Sequence, residues 1–492
     1  MSGIDFKARP WIGKTAMVSL FMLVGLSSCD FLDPTRVENP RTTVEDLAQA
    51  EEPTKSLLPG LRVKFAQTIR SIVVTAENVS DNYSIHGTGL RKTLDDPSSL
   101  TPSNMNSTSS FGGGGIYNTV QSLRALSDFV IDVIVPEDQN STTDQVAEAS
   151  YYRGMAYLIM AETFTAVPVE PDGLPLPASE LLTRAITDLT TANAGALAVQ
   201  SRAALARAYR WQGDSGQAES FASSALAQDA DFVIQQEYDA TSFSNSPYSY
   251  LVSRALQEMQ PLPRLDFLDP KYLDREAGIA FAKAEEMHLI LAEIDLAAGA
   301  MAAGRAHLVD AINMAISRGT VAFQDDDPRS NEDLSIRPRD ASIVIRADAN
   351  SPFIAGLVLD RPASIQAPTV SATSLDPAVV AGLTDMDDVW HAFHLARQEI
   401  LFLEGRRMAD LGIKLPIMLR EIDANPNINP GDLGTTVFVP SYIPVADEMD
   451  LFTPKTLYDG GLLDPEQILT GTEVTMNVDM NRVLTVNRVT PF

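Results

Sequence analysis

Residues 201–228, "SRAALARAYRWQGDSGQAESFASSALAQ", read as an alanine-rich helix, a Gly-Asp turn and a second alanine-rich helix. Residues 281–319 repeat the plan, "FAKAEEMHLILAEIDLAAG" being followed by "AAGRAHLVDAINMAISRG". The two copies share a register. Gly213 stands eight residues after Leu205, and Gly299 eight residues after Leu291. Glycine supplies the turn, and small residues let two antiparallel helices approach closely.

Such pairs look like tetratricopeptide-type packing, although the copies are separated by other material and do not keep a 34-residue period. Two unrelated helical hairpins are the alternative. A further helix, 144–164, places Ala147, Tyr151, Met155, Leu158 and Glu162 at three- and four-residue steps. The fold expected is mainly α: a tetratricopeptide-like helical repeat scaffold, stacked right-handed, with long irregular loops and a few short strands. The loops are 84–115, rich in Ser, Thr, Gly and Asn, and 322–384, which carries short β-like runs, "SIVIRA" and "FIAGLVL". Long loops on a rigid scaffold are the natural place for a binding surface.

The chain has one cysteine in 492 residues, Cys29. Upstream lie Lys7, Arg9 and Lys14 against Asp5, then the apolar run "TAMVSLFMLVGL" at 15–26. A dozen apolar residues fall short of the roughly 20 that span a membrane, so the segment reads as a secretory signal. Leu26-Ser27-Ser28-Cys29 resembles a bacterial lipobox, which implies lipidation of Cys29. The expected organisation is a signal peptide at 1–28, a lipidated tether at 29–43 and a single helical domain at 44–492 with a loop-rich insertion at about 322–384. Cleavage before Cys29 removes three positive charges and one negative, moving the formal net charge from −28 to −30. That charge argues against nucleic acid and against anionic surfaces. Membrane attachment therefore rests on the lipid, and with one cysteine no disulfide forms within the chain.

Signals for catalysis are few. Glu285 and His288 supply one Glu-x-x-His, but a carboxylate-bridged metal site needs two. His391 and His394 could share a helical face, yet no carboxylate stands at ligand spacing. His86 lies in a loop and His307 in a helical pattern. No metal site and no cofactor are expected. The acidic runs "QDDDP" and "TDMDD" have the oxygen chemistry of a Ca²⁺ site, with solvated loops as the commoner outcome. The glycine-rich "HGTGLRK" and "FGGGGIYN" lack the Gly-Lys-Ser/Thr of a phosphate loop.

Binding is the stronger expectation, because sugars stack on aromatic rings and hydrogen-bond to Asn, Asp and Arg. In "ENVSDNYSIHGTG", Asn78, Asp81, Asn82 and Tyr83 combine these elements, while "SNSPYSY" adds Tyr248 and Tyr250, and Trp390 stands beside "TDMDD". These seven are the ligand-binding candidates, and packing roles are the alternative for each.

At 397–415, "RQEILFLEGRRMADLGIKL" resembles the motif of the SusD/RagB family: Arg397, Glu399, Leu401-Phe402, Glu404-Gly405, Arg407, Met408 and Asp410-Leu411. Further blocks follow in family order, among them "AEASYYRGMAYLIMAETFTAVPV" at 147–169 and "AEEMHLILAEIDLAAG" at 284–299. Arg153-Gly154 departs from the usual Arg-Ala, an extra acid accompanies Glu286, and the typical final "QNPGY" is absent. The resemblance implies an outer-membrane lipoprotein facing the cell exterior. Its implied partners are an oligosaccharide or peptide ligand and a TonB-dependent, SusC-like barrel. A lipid-anchored hydrolase and a helical adaptor are the rival readings. Residue by residue, the motif reads as structural: Phe393, Ala396, Ile400, Leu403 and Leu411 form one apolar helical face, with Arg397 and Glu404 sharing another and paired or hydrogen-bonded there.

Overall fold

A computed structural model describes residues 51–85, 90–107, 115–254, 258–324, 343–359, 364–454 and 473–492. Cys29, the leader, the tether and His86 lie outside the described residues. Thr54–Phe492 forms one compact unit. Its long helices are α1 (Pro53–Val79), α2 (Gly115–Asp128), α3 (Thr143–Thr163), α4 (Ala178–Ala192), α5 (Ala198–Gln212), α6 (Ser215–Gln228), α7 (Ala284–Ala297), α8 (Met301–Ser317) and α9 (Met386–Ile400).

From α2 to α9 each helix packs on the next. The stack consists of three hairpins, α3–α4, α5–α6 and α7–α8, so the two pairs legible in the sequence are the second and third of a series. Gly213 and Gly299 end α5 and α7 in the left-handed region, at φ 78° and 77°. Residues with a Cβ rarely adopt that conformation, which is why both copies keep glycine at the same register. In α3–α4 the approach is close as well, since a Cβ on Gly154 would lie 2.7 Å from Leu189 Cγ. The departure from Arg-Ala at 153–154 thus has a steric cause.

α3 begins with a capping box, Thr142 accepting from the Gln145 N–H while the Gln145 side chain accepts from that of Thr142. Its other end is buried nearly all round, from Gly154 through Thr163, as suits a helix enclosed in a core. α1 buries Leu61, Phe65, Ile69, Ile72, Val73, Ala76 and Val79 along one stripe. A second apolar cluster joins α7, α8 and α9 through Leu289, Leu296, Leu308, Ile312, Phe393 and Ile400.

The loops hold more structure than their composition indicates. The described part of 84–115 carries short helices at Leu90–Asp95 and Pro102–Ser107. The runs "SIVIRA" and "FIAGLVL" do form strands: Val344–Arg346 pairs antiparallel with Ile354–Ala355 and parallel with Glu473–Met476. Thr320–Phe323 pairs with Ile365–Pro368, closing the base of this segment. Among the described residues no helix is long and apolar enough to cross a membrane.

Candidate functional site

The motif at 397–415 is not one helix. α9 ends at Ile400, the chain turns through 401–405, and a short helix restarts at Arg407–Asp410. Leu403 sits at φ 59° and Gly405 at φ 73°. The turn is held from below: Tyr272 donates its hydroxyl to the Leu403 carbonyl, Lys271 Nζ reaches the Phe402 carbonyl at 2.8 Å, and Lys283 Nζ reaches that of Ile400 at 2.6 Å. Both ammonium groups also lie 2.5 Å from Glu404 Oε1. Gly405 approaches α1 so closely that a Cβ would stand 3.3 Å from the Val73 nitrogen.

This turn corrects the expected pairing of Arg397 with Glu404. Once the helix breaks after Ile400 the two no longer share a face. Arg397 forks onto Asp410 at 3.0 Å through both Nε and Nη2, and Leu403 and Leu411 leave the helical stripe. The extra acid at 285–286 is also accounted for. Glu286 pairs with Arg406 at 3.1 Å, and Glu285 takes Arg318 at 2.8 Å. Burial pushes the Glu286 carboxyl up, but the Arg406 and Arg207 charges outweigh it and hold it at about 2.

Four ligand candidates belong to the same interior network. Asp81 accepts from Arg407 at 2.5 and 2.7 Å and from Gln398 at 3.0 Å. Asn82 donates to Glu77 at 2.5 Å and accepts from Gln398 at 3.0 Å, while Asn78 donates to the Val74 carbonyl at 2.6 Å. The Tyr83 ring stacks on Phe402 at 5.8 Å and its hydroxyl donates to Asp269 at 3.1 Å. All four are at most 2% exposed and engaged by protein partners, as the packing alternative has it. Trp390 is buried likewise, edge-on to Phe393 and stacked on His394.

His391 gains the carboxylate that no nearby residue offers: its Nε2 lies 2.8 Å from Asp479 Oδ2, 88 residues along. His394 packs separately, and burial holds it down at about 3. The "TDMDD" turn spends an acid on helix capping, Asp385 accepting from the N–H groups of Asp387 and Asp388. The three aspartates of "QDDDP" lie outside the described residues.

Tyr248 and Tyr250 remain on the surface, half-buried in a single π-helical turn, Tyr248–Val252. Asn245 pins this turn, accepting from the Tyr248 N–H at 3.0 Å and donating to the Ala277 carbonyl at 2.8 Å. Strand Tyr83–Ile85 pairs with Met259–Pro261, which brings helix Leu90–Asp95 alongside. The Arg91 guanidinium lies 5.8 Å from the Tyr250 ring centre and 3.7 Å from Glu258, which also faces Arg254 at 3.8 Å. Nearby, Arg70 sits 4.0 Å over the Phe243 ring. Aromatic faces flanked by guanidinium and carboxylate groups suit a polyhydroxylated ligand. Arg70 and Arg91 escape a linear reading because only the tertiary fold brings them to Phe243 and Tyr250.

Hollows lie elsewhere among the described residues. A polar cleft of about 320 Å³ between α3 and α4 is lined by Asp128, Asp132, Arg153, Tyr157, Arg184 and Asp188. Arg153 donates to Asp188 at 2.8 and 2.9 Å and to Asp132 at 3.1 Å. A cavity of about 250 Å³ lies against the motif itself, walled by Arg210, Trp211, Arg397, Arg407 and the C-terminal residues Val489–Pro491.

The described chain is a helical-repeat scaffold with a few short strands. No protein-family model matches it, and no curated protein does. Among solved structures, a Bacteroides vulgatus protein, named provisionally as sugar binding, aligns with a TM-score of 0.51 over 77% of this chain and 98% of its own, at 14% identity. A SusD superfamily protein from Bacteroides thetaiotaomicron aligns at 0.49 over 79% and 98%, with 13% identity. A SusD-like carbohydrate binding protein from Bacteroides fragilis aligns at 0.47 over 80% and 94%, also with 13% identity. At such identities the shared property is the fold.

Proposed function

We propose that this chain is a lipid-anchored protein of the outer-membrane surface that binds an oligosaccharide and delivers it to a TonB-dependent, SusC-like barrel, making and breaking no bond. The observation that carries the reading is the Tyr248–Tyr250 face with Arg91, on a scaffold whose solved counterparts include proteins named for sugar binding. The leader and the lipobox-like "LSSC" support the anchor. The buried ion pairs of the motif support a rigid platform, since each of these charges is already engaged by protein.

Calorimetric titration of the full chain in detergent with a panel of neutral and acidic oligosaccharides tests it. Saturable binding without product, weakened by Tyr250→Ala, is the expected result. Saturable binding of peptides and of no glycan would transfer the role to a peptide carrier.

One observation favours a second reading, a surface hydrolase. Burial pushes the Asp128 and Asp188 carboxyls up within the α3–α4 cleft, against the pull of Arg124 on Asp128 and of Arg153 on both, and a carboxyl raised by burial is what a general acid requires. Product formation lost on Asp128→Asn would establish it.

A further inference from the structure

We propose that the α7–α8 hairpin holds a transition-metal site, best suited to Zn²⁺, formed by His288, His307 and Asp310. His288 lies on α7, while His307 and Asp310, three residues apart, share a face of α8. One ligand atom from each lies within 4.8 Å of the other two. The two imidazole rings are 6.1 Å apart between centres and inclined by 36°. Gly304 makes the meeting possible. A Cβ there would lie 2.7 Å from Leu296 Cγ and 2.9 Å from the Ala292 carbonyl, so the helices touch one turn before His307.

The donor set is the chemical argument. Two imidazoles and a carboxylate are what Zn²⁺ takes when three protein ligands leave a fourth position open. Hard cations such as Ca²⁺ prefer an all-oxygen shell. His288 Nδ1 and His307 Nδ1 are both buried with no hydrogen-bond partner, which is costly for a polar atom unless something fills the gap. The other nitrogen of His307, Nε2, faces Asp295 Oδ2 at 3.8 Å. A carboxylate behind a ligating histidine fixes its orientation and strengthens its donation, so Asp295 is assigned as a positioning residue. Ligands of one tetrahedral zinc stand about 3.4 Å apart, given bonds of about 2.0–2.1 Å. Closure from 4.8 Å is within the reach of side-chain rotation.

The site would clamp the third hairpin to itself. A chain with a single cysteine has no disulfide for this purpose, and a metal that binds only the folded state raises stability by mass action. Neither the fold nor the sugar reading depends on it.

The full chain in detergent, stripped with a chelator and dialysed, is titrated with Zn²⁺ against a fluorescent competitor, with melting temperature followed in parallel. One equivalent should bind and raise the melting temperature. Asp295→Asn should weaken binding about tenfold to a hundredfold, and His307→Gln and Asp310→Asn should weaken it more. Co²⁺ in place of Zn²⁺ should show the ligand-field spectrum of a four-coordinate site, lost in His307→Gln. Absence of Zn²⁺ binding, Zn²⁺ binding unaltered by these three variants, or displacement of Zn²⁺ by equimolar Ca²⁺ would overturn the assignment.

Discussion

Arg407 and Asp81, 326 residues apart in the chain, close a two-point ion pair at 2.5 and 2.7 Å that is sealed from solvent. It ties the end of α1 to the turn after α9, and Gln398 and Asn481 complete its hydrogen bonds. Removing one partner leaves an uncompensated buried charge. Arg407→Ala and Asp81→Asn should each lower unfolding free energy by about 3–5 kcal/mol. The paired change Arg407→Met with Asp81→Leu should lose less than the sum of its single changes. Urea unfolding followed by circular dichroism measures all three.

Glu404 faces two ammonium groups, Lys271 and Lys283, which are 3% and 0% exposed. Burial presses the Lys271 ammonium down to about 8, and Glu404 is the strongest force opposing that shift. Glu404→Gln should therefore destabilise the chain by about 3 kcal/mol or more at pH 7. The loss should shrink on raising the pH above 8, where Lys271 sheds its proton in the folded state. Thermal melts at pH 7 and pH 9 make the comparison.

Gly154 lies where α3 meets α4, and Gly154→Ala restores the commoner pattern at the expense of the Leu189 contact. Helix propensity favours alanine by about 1 kcal/mol, whereas overpacking costs about 1–3 kcal/mol. With 2.7 Å between the new Cβ and Leu189 Cγ the clash should win. A lowered melting temperature, with Leu189→Ala costing less in the Gly154→Ala background than in the parent, is the expected result.

Asp95 and Asp450 are both buried and hydrogen-bonded to one another, and Asp95 adds to the upward push on Asp450. Burial lifts Asp95 to about 6 despite Lys92 at 2.5 Å, and lifts Asp450 well above the usual range. Between about pH 4 and pH 6 the unfolded chain has released these protons and the folded chain still holds them. The folded state then binds more protons, so this pair's contribution to stability falls as pH rises through that window and beyond. Asp450→Asn should flatten the decline and raise the melting temperature at pH 8 relative to the parent.

The Tyr248–Tyr250 turn should behave differently from the interior network. Both rings are half-buried, and Tyr248 also packs against the core, so Tyr250 is the ring whose truncation should disturb the fold less. If Tyr250 is an anchor for ligand, Tyr250→Ala should weaken binding by about 2 kcal/mol, roughly thirtyfold, with the melting temperature unchanged. Loss of stability without a change in affinity would return Tyr250 to a packing role.

The helical hairpins were legible because their signals are local. Leu205 to Gly213 and Leu291 to Gly299 span one helix end each, and the glycines do adopt the left-handed turn. The first hairpin's second helix carried a similar signal, Leu181, Ala185, Leu189 and Ala192 at helical steps, all buried. The site was less legible for the opposite reason. Asn78, Asp81, Asn82 and Tyr83 have the composition of a sugar contact, but Asp81, Asn82 and Tyr83 turn to Gln398, Phe402 and Arg407, more than 300 residues away. Composition alone does not separate a polar network turned inward from one turned to solvent. The break after Ile400 was hidden because Leu401–Glu404 continues the helical pattern, and the groups that hold the turn, Lys271, Lys283, Tyr272 and Glu77 among them, come from distant parts of the chain.

The central claim, capture of a ligand for a transporter at the outer membrane, is tested most directly by purifying the tagged full chain from mild-detergent extracts of its native membranes and weighing what accompanies it. A stoichiometric, large TonB-dependent β-barrel is the expected companion, and with Cys29→Ala this chain itself should leave the membrane extract while the barrel stays. Recovery of the chain alone from intact membranes, or membrane attachment unchanged by Cys29→Ala, would contradict the account.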